Sequence, residues 1–205
     1  MRHRKRGRKL GRSAKHQRAL LKSLASNLFL TERDAEFDDN KPKVKGRMIT
    51  TISKAKEVRP LVEKCITVAR RGLVAVDAAG EFGTKADRGS DAWKTWRQSE
   101  RWGKWNQAIA PAVAARRRCL QLLGNKQAVS VLFEEVAPRF ADRPGGYTRI
   151  LRLAKPRLGD AGIRAVIEFV GVRDRVVEHS VRPTFEGEGK PEGEAKKKRP
   201  AAAKK

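Results

Sequence analysis

The sequence predicts an α+β fold: about four helices and three short strands, led by a basic arm and trailed by a disordered tail. Three observations carry this. Four stretches repeat apolar residues at offsets of three and four, the spacing of one buried helical face. Three others are short and rich in β-branched residues, as strands are. Residues 1–12, and those from about 187 onward, lack apolar periodicity and cannot bury enough surface to offset their ordering entropy. The expected organisation is an arm over 1–12, one domain over 13–172 and an extension over 173–205.

Taken in order, Ser13 can cap a first helix whose core face is Leu20, Leu21, Leu24, Ala25, Leu28 and Phe29. Residues 31–47 read as a polar loop. Met48–Ile52 reads as a strand, and Ser53 can cap a second helix running to Arg71, with Val58, Leu61, Val62, Cys65, Ile66 and Ala69 on its apolar face. Pro60 implies either a kink or a helix beginning near Arg59. Gly72 to Ser90 reads as a loop. A third helix is expected over Gln107–Leu123, ended by Gly124, and a fourth from Asn125 as its cap, with Pro138 straining its last turn. Strands follow at Tyr147–Ala154 and Ile163–Val170, joined through residues 155–162.

Charge points to the partner. The 205 residues hold 48 Lys and Arg against 23 Asp and Glu, a net charge of +25. Such a surplus repels itself in a compact chain, so a polyanion is its natural complement. The first carboxylate is Glu32, and the opening segment carries Arg2, His3, Arg4, Lys5, Arg6, Arg8, Lys9 and Arg12. Against phosphate these residues release counterions and gain order together with affinity. Gly7 and Gly11 permit positive φ there, letting the backbone follow a crowded surface. Lys15, Arg18 and Lys22 extend the basic surface along the first helix, opposite its core face, and Arg116-Arg117-Arg118 adds a separate patch. Such an arm also has a plainer reading, a solvated tail or an organellar transit peptide.

Other classes find little support. No apolar run approaches the roughly 20 residues of a bilayer span. The positive N-terminal flank lacks the apolar segment that a secretory signal requires, so secretion is not expected. Cys65 and Cys119 fit no zinc spacing, and Cys65 falls on a core face. His3, His16 and His179 are scattered, and neither a nucleophile elbow nor a phosphate loop occurs. The expectation is a non-enzyme with no cofactor, no metal, no membrane and no small-molecule substrate.

Four blocks then carry a resemblance, in order along the chain: Met1–Arg12, Ile49–Pro60, Val129–Phe140 and Arg143–Ile150, with Ile163–Val170 after them. They resemble the family of the bacterial large-subunit ribosomal protein numbered seventeen. The resemblance implies helices against a small mixed sheet of three strands. It further implies a structural place on the large subunit, bound to 23S rRNA near the polypeptide exit beside neighbouring large-subunit proteins, in the cytoplasm or on an organellar ribosome. Within that frame the arm would thread between rRNA segments. Gly145 and Gly146 would bring the backbone close to RNA, Tyr147 would pack on a ribose or base, and Arg149, with Arg152 on the same strand, would meet phosphate. The plainer reading of the Gly-Gly pair is an ordinary turn into a hairpin.

Two stretches, residues 33–47 and 73–106, interrupt the resemblance as insertions. The second holds all four tryptophans, Trp93, Trp96, Trp102 and Trp105. They do not form one stripe on a continuous helix, so two Trp-x-x-Trp pairs separated by a turn are expected. Interleaved with Lys94, Arg97, Arg101 and Lys104, they read either as an added stacking contact with rRNA or a protein neighbour, or as a small local core. The rival function is a DNA-binding nucleoid or regulatory protein, which would concentrate its basic groups on one groove-reading helix. Here the charge is spread over several elements, which suits folded RNA better.

Overall fold

The computed structural model describes residues 7–36 and 38–171. Arg2, His3, Arg4, Lys5 and Arg6, and the tail expected from about residue 187, lie outside the described residues.

Helix α1 spans Ala14–Leu30, and the Ser13 hydroxyl accepts from the His16 amide at its start, as the capping pattern predicts. Strand β1 is Arg47–Thr51. Helix α2 then runs Ile52–Gly80 from an N-cap at Thr51, one residue into the predicted strand, so Ser53 is not its cap. Pro60 lies inside this helix, and the helix neither starts at Arg59 nor stops at Arg71. The expected loop after Arg71 is thus corrected over residues 72–80. Gly72 is buried, and a Cβ there would stand 2.9 Å from the Ala115 Cβ and 3.2 Å from Phe133. That glycine serves close helix packing rather than helix termination.

Helix α3, Asp91–Gln98, is an element the periodicity does not reveal, and α4 begins at Glu100, seven residues before Gln107, and runs to Leu123. Gly124 closes α4 at φ +75°, a left-handed conformation that glycine adopts without penalty. Asn125 Oδ1 then accepts from the Ala128 amide to start α5. This last helix changes pitch twice: Lys126–Val131 is α-helical, Leu132–Val136 is a π turn, and Ala137–Arg139 completes it. Pro138 has no N–H for the Glu134 carbonyl, and the widened turn before it is the local adjustment. The described residues therefore hold five helices, α3 being the addition to the expected four.

Strands β2, Thr148–Arg152, and β3, Arg164–Phe169, form a sheet of order β1-β3-β2 with both ladders antiparallel. The mixed sheet implied by the family resemblance is corrected here. β1 and β2 do point the same way, but β3 lies between them, so no parallel ladder forms. One sheet face places Met48, Ile150, Ala165, Ile167 and Phe169 against the helices, and the core continues through Leu28, Phe29, Val58, Val62, Ile66, Leu132 and Val136. Cys65 and Cys119 are both free and fully buried in that core, where their mutual hydrogen bond and burial push the Cys65 thiol up from its ordinary range. Ser26, also buried, donates to the Leu123 carbonyl at 3.1 Å and ties α1 to the end of α4.

Candidate nucleic-acid interface

The described end of the arm folds back on the helices. The Gln17 amide donates to the Arg8 carbonyl at 2.7 Å, and Arg8 faces Glu57 of α2 at 3.7 Å. Gly11 sits at φ +118°, a conformation that disfavours any other residue, and a Cβ there would also fall 2.1 Å from the His16 ring and displace it. Gly7 is likewise at positive φ, the conformation that glycine permits at both positions. Lys9 and Arg12 are exposed beside them.

On α1, Lys15 and Arg18 are exposed and Lys22 is half-buried, while Ala25, Leu28 and Phe29 face the core. The helix therefore divides as its sequence predicts. Arg116, Arg117 and Arg118 are all exposed on α4. The Arg116 guanidinium lies 4.9 Å from the Phe133 ring centroid, and Arg118 donates to the Gln121 side chain at 3.0 Å. Lys9, Arg12, Lys15, Arg18, Lys22, Arg117 and Arg152 have no carboxylate partner among the described residues. Cations left unpaired on separate elements are what a phosphate-binding surface needs, because a protein carboxylate would otherwise compete for them.

Two residues assigned to RNA take other roles. Tyr147 is 1% exposed and packs against Phe140 with ring centroids 5.2 Å apart, so its ring is committed to the core and cannot stack on a base. Arg149 donates to Glu168 at 2.6 Å, directly opposite it in the β2–β3 ladder, so a phosphate would have to displace this carboxylate. On the other ladder Arg47 donates to the same carboxylate at 2.9 and 3.1 Å. Burial acts to raise the Glu168 pKa, but the bonds from Arg149 and Arg47 outweigh it and hold the carboxyl below its ordinary range. The register that joins these three residues is not visible in one dimension, so the cluster escapes sequence reasoning.

Gly145 and Gly146 lie in the turn before β2, with open space where a Cβ would project. Arg143 donates to the Gly145 carbonyl at 3.2 Å, and Arg70 donates to the Arg143 carbonyl, so the turn is braced from within the chain. Beside the Arg47-Glu168-Arg149 row, the outward sheet face carries Ile49 and Leu151, 59% and 43% exposed, flanking Val166. This apolar row framed by charge is a feature that the distribution of charged residues along the chain does not reveal.

The tryptophans form the two expected pairs. Ser99, extended at ψ 159°, separates α3 from α4 and folds Trp93 and Trp96 toward Trp102 and Trp105. Trp96 and Trp105 meet edge to face at 5.6 Å. The Arg97 guanidinium lies 5.0 Å from the Trp93 ring and 5.7 Å from that of Trp102. Trp96 Nε1 donates to the Phe82 carbonyl and Arg101 to the Glu81 carbonyl, both at 3.0 Å, satisfying acceptors just past the end of α2. All four rings are half-buried, so the cluster is a local core with one side open. Elsewhere, no group of three metal-ligating side chains occurs among the described residues, and no helix there is long and apolar enough to cross a membrane.

The family described as ribosomal protein L17 matches residues 20–170. The chain is 60% identical to the large ribosomal subunit protein bL17 of Rhodopirellula baltica over 201 residues, 96% of each chain. It is 33% identical to the bL17 of Acidobacterium capsulatum, covering 87% of this chain and 78% of that protein. For the bL17 of Koribacter versatilis the identity is 35%, over 83% of this chain and 73% of that one. The chain belongs to the ribosomal protein L17 family, whose members are structural proteins of the ribosome and not enzymes.

Proposed function

We propose that this protein is a structural constituent of the large ribosomal subunit that binds and stabilises 23S rRNA near the polypeptide exit and so supports translation in the cytoplasm. The observation that carries the reading is the set of unpaired cations on the arm's end, α1, α4 and β2. A duplex-reading protein concentrates its base contacts on one element, whereas folded RNA presents phosphates from several directions. Family membership favours the ribosomal reading over a DNA-binding one. Arg8, Lys9, Arg12, Lys15, Arg18, Lys22, Arg116, Arg117, Arg118 and Arg152 are the assigned phosphate contacts, joined by Arg2, His3, Arg4, Lys5 and Arg6 of the arm. The Gly145-Gly146 turn offers backbone to RNA, and the Ile49-Val166-Leu151 row faces a neighbouring large-subunit protein.

The test is sucrose-gradient fractionation of cell extract at moderate salt. The protein should sediment with large subunits and whole ribosomes. Recovery only in the free-protein fractions would overturn the reading.

A further inference from the structure

We infer that the tryptophan cleft is a stacking site for a single unpaired RNA base, an inference that rests on the rRNA-binding reading and makes it specific. The cleft between the α2–α3 connection and the start of α4 has a volume of about 370 Å³ and is bordered by all four indole rings. That lies at the lower end of small-ligand clefts, which run about 300–1,000 Å³. Stacking surfaces for bases are aromatic faces held rigidly beside cationic groups, and both components are present. Contacts within the chain gather the rings: Trp96 bonds to the Phe82 carbonyl, Trp105 meets Trp96 edge to face, and Arg97 lies over both Trp93 and Trp102.

Charge selects the occupant. Arg88 and Arg97 line the cleft, and no carboxylate does. Neither guanidinium has a hydrogen-bond acceptor among the described residues, so their donors are free for phosphate. Thr84 and Asn106 add polar groups to the lining, of a kind able to meet a base edge. An apolar peptide would leave both arginines without partners, whereas a nucleotide uses the rings and the cations together. An unpaired base also meets no competing stack, which is why irregular RNA rather than duplex is the expected source.

The test exploits a coincidence of composition: the chain has four tryptophans and all of them border this cleft. Intrinsic tryptophan emission therefore reports this site and no other. The full chain is titrated with short oligoadenylate, with an abasic oligomer of equal length and with blunt RNA duplex, while anisotropy of end-labelled RNA reports total binding. Oligoadenylate should quench the emission to saturation, and the abasic oligomer and duplex should bind with little quenching. Trp93→Leu, which keeps apolar bulk, should weaken oligoadenylate binding about tenfold and leave abasic binding within about twofold, in line with the usual worth of one stacked base. Arg88→Ala, at an exposed position outside the packed rings, should weaken both ligands several-fold and still permit quenching. RNA binding with unchanged emission, or equal quenching by the abasic oligomer, would overturn the stacking site and leave the rRNA reading intact. Quenching only by large-subunit proteins freed of rRNA would overturn it in favour of a protein neighbour. Absence of any RNA binding would overturn the broader function instead.

Discussion

Glu168 shows how one carboxylate can organise a surface that is otherwise basic. Its side chain is 3% exposed and lies between Arg47 and Arg149, its partners in the two ladders. Because these bonds depress its pKa in the folded state, the stability it contributes is present above the unfolded carboxylate value. That stability is lost as pH falls through the lower folded value. Glu168→Gln keeps the shape but removes the charge. It should cost about 1.5–3 kcal/mol at neutral pH, the usual worth of hydrogen bonds to a charged group. The deficit should shrink toward zero in acid, where the wild-type carboxylate is itself protonated. Urea melts of both proteins at neutral and acidic pH measure this, and a deficit independent of pH would show that the pairing contributes nothing. The same residues mark a boundary of sequence reading. Arg149 looks like a phosphate ligand until the register places Glu168 opposite it, and Tyr147 looks accessible until Phe140 is found against its ring.

At the scale of elements, what the sequence made legible depended on how each signal arises. Caps at Ser13, Gly124 and Asn125 are local chemistry, and all three stand where the residue types predict. The three strands were also placed to within a few residues, because short β-branched runs are bounded by turn residues. The end of α2 and the existence of α3 were not legible. Gly72 interrupts the apolar periodicity for a tertiary reason, the close approach of α4, and α3 is too short to show a repeating stripe. The α2 assignment makes a paired prediction. Alanine at Gly72 would place its Cβ within 2.9 Å of the Ala115 Cβ, a contact that no side-chain rotation relieves. The overpacking, about 1–3 kcal/mol, should exceed the helix-propensity gain of about 1 kcal/mol. At Gly80, exposed in the same helix with nothing within 4 Å of the projected Cβ, only the gain remains. Gly72→Ala should therefore lower stability, and Gly80→Ala, at the last residue of α2, should raise it by up to about 0.5 kcal/mol, less than the value for a helix interior. If Gly72 lay in a loop, the first substitution would show no such loss in denaturant melts.

For the whole molecule, the question is how a net charge of +25 is divided between internal pairing and the partner. Some cations are paired with carboxylates within the fold: Arg47 and Arg149 with Glu168 on the outward sheet face, and Arg139 with Glu32 at 2.8 Å. These pairs should add little to the salt dependence of RNA binding, since they release no counterions on association. The arm is different. Residues 1–12 carry seven arginines and lysines and no acid, and of those only Arg8 meets a carboxylate among the described residues. Each phosphate neutralised adds about 0.7–0.9 to the slope of log affinity against log salt. Deleting residues 1–12 should therefore lower that slope by about three to six, with the larger loss of affinity at low salt. Replacing Arg47 by Gln should lower stability while leaving the slope within about one unit of wild type. Filter binding to an rRNA fragment over a range of potassium chloride concentrations separates the two. An unchanged slope after arm deletion would mean that the arm's cations do not meet phosphate. The excess charge would then have to act through α1, α4 and β2 alone, where Lys15, Arg18, Arg117 and Arg152 remain exposed and unpaired among the described residues.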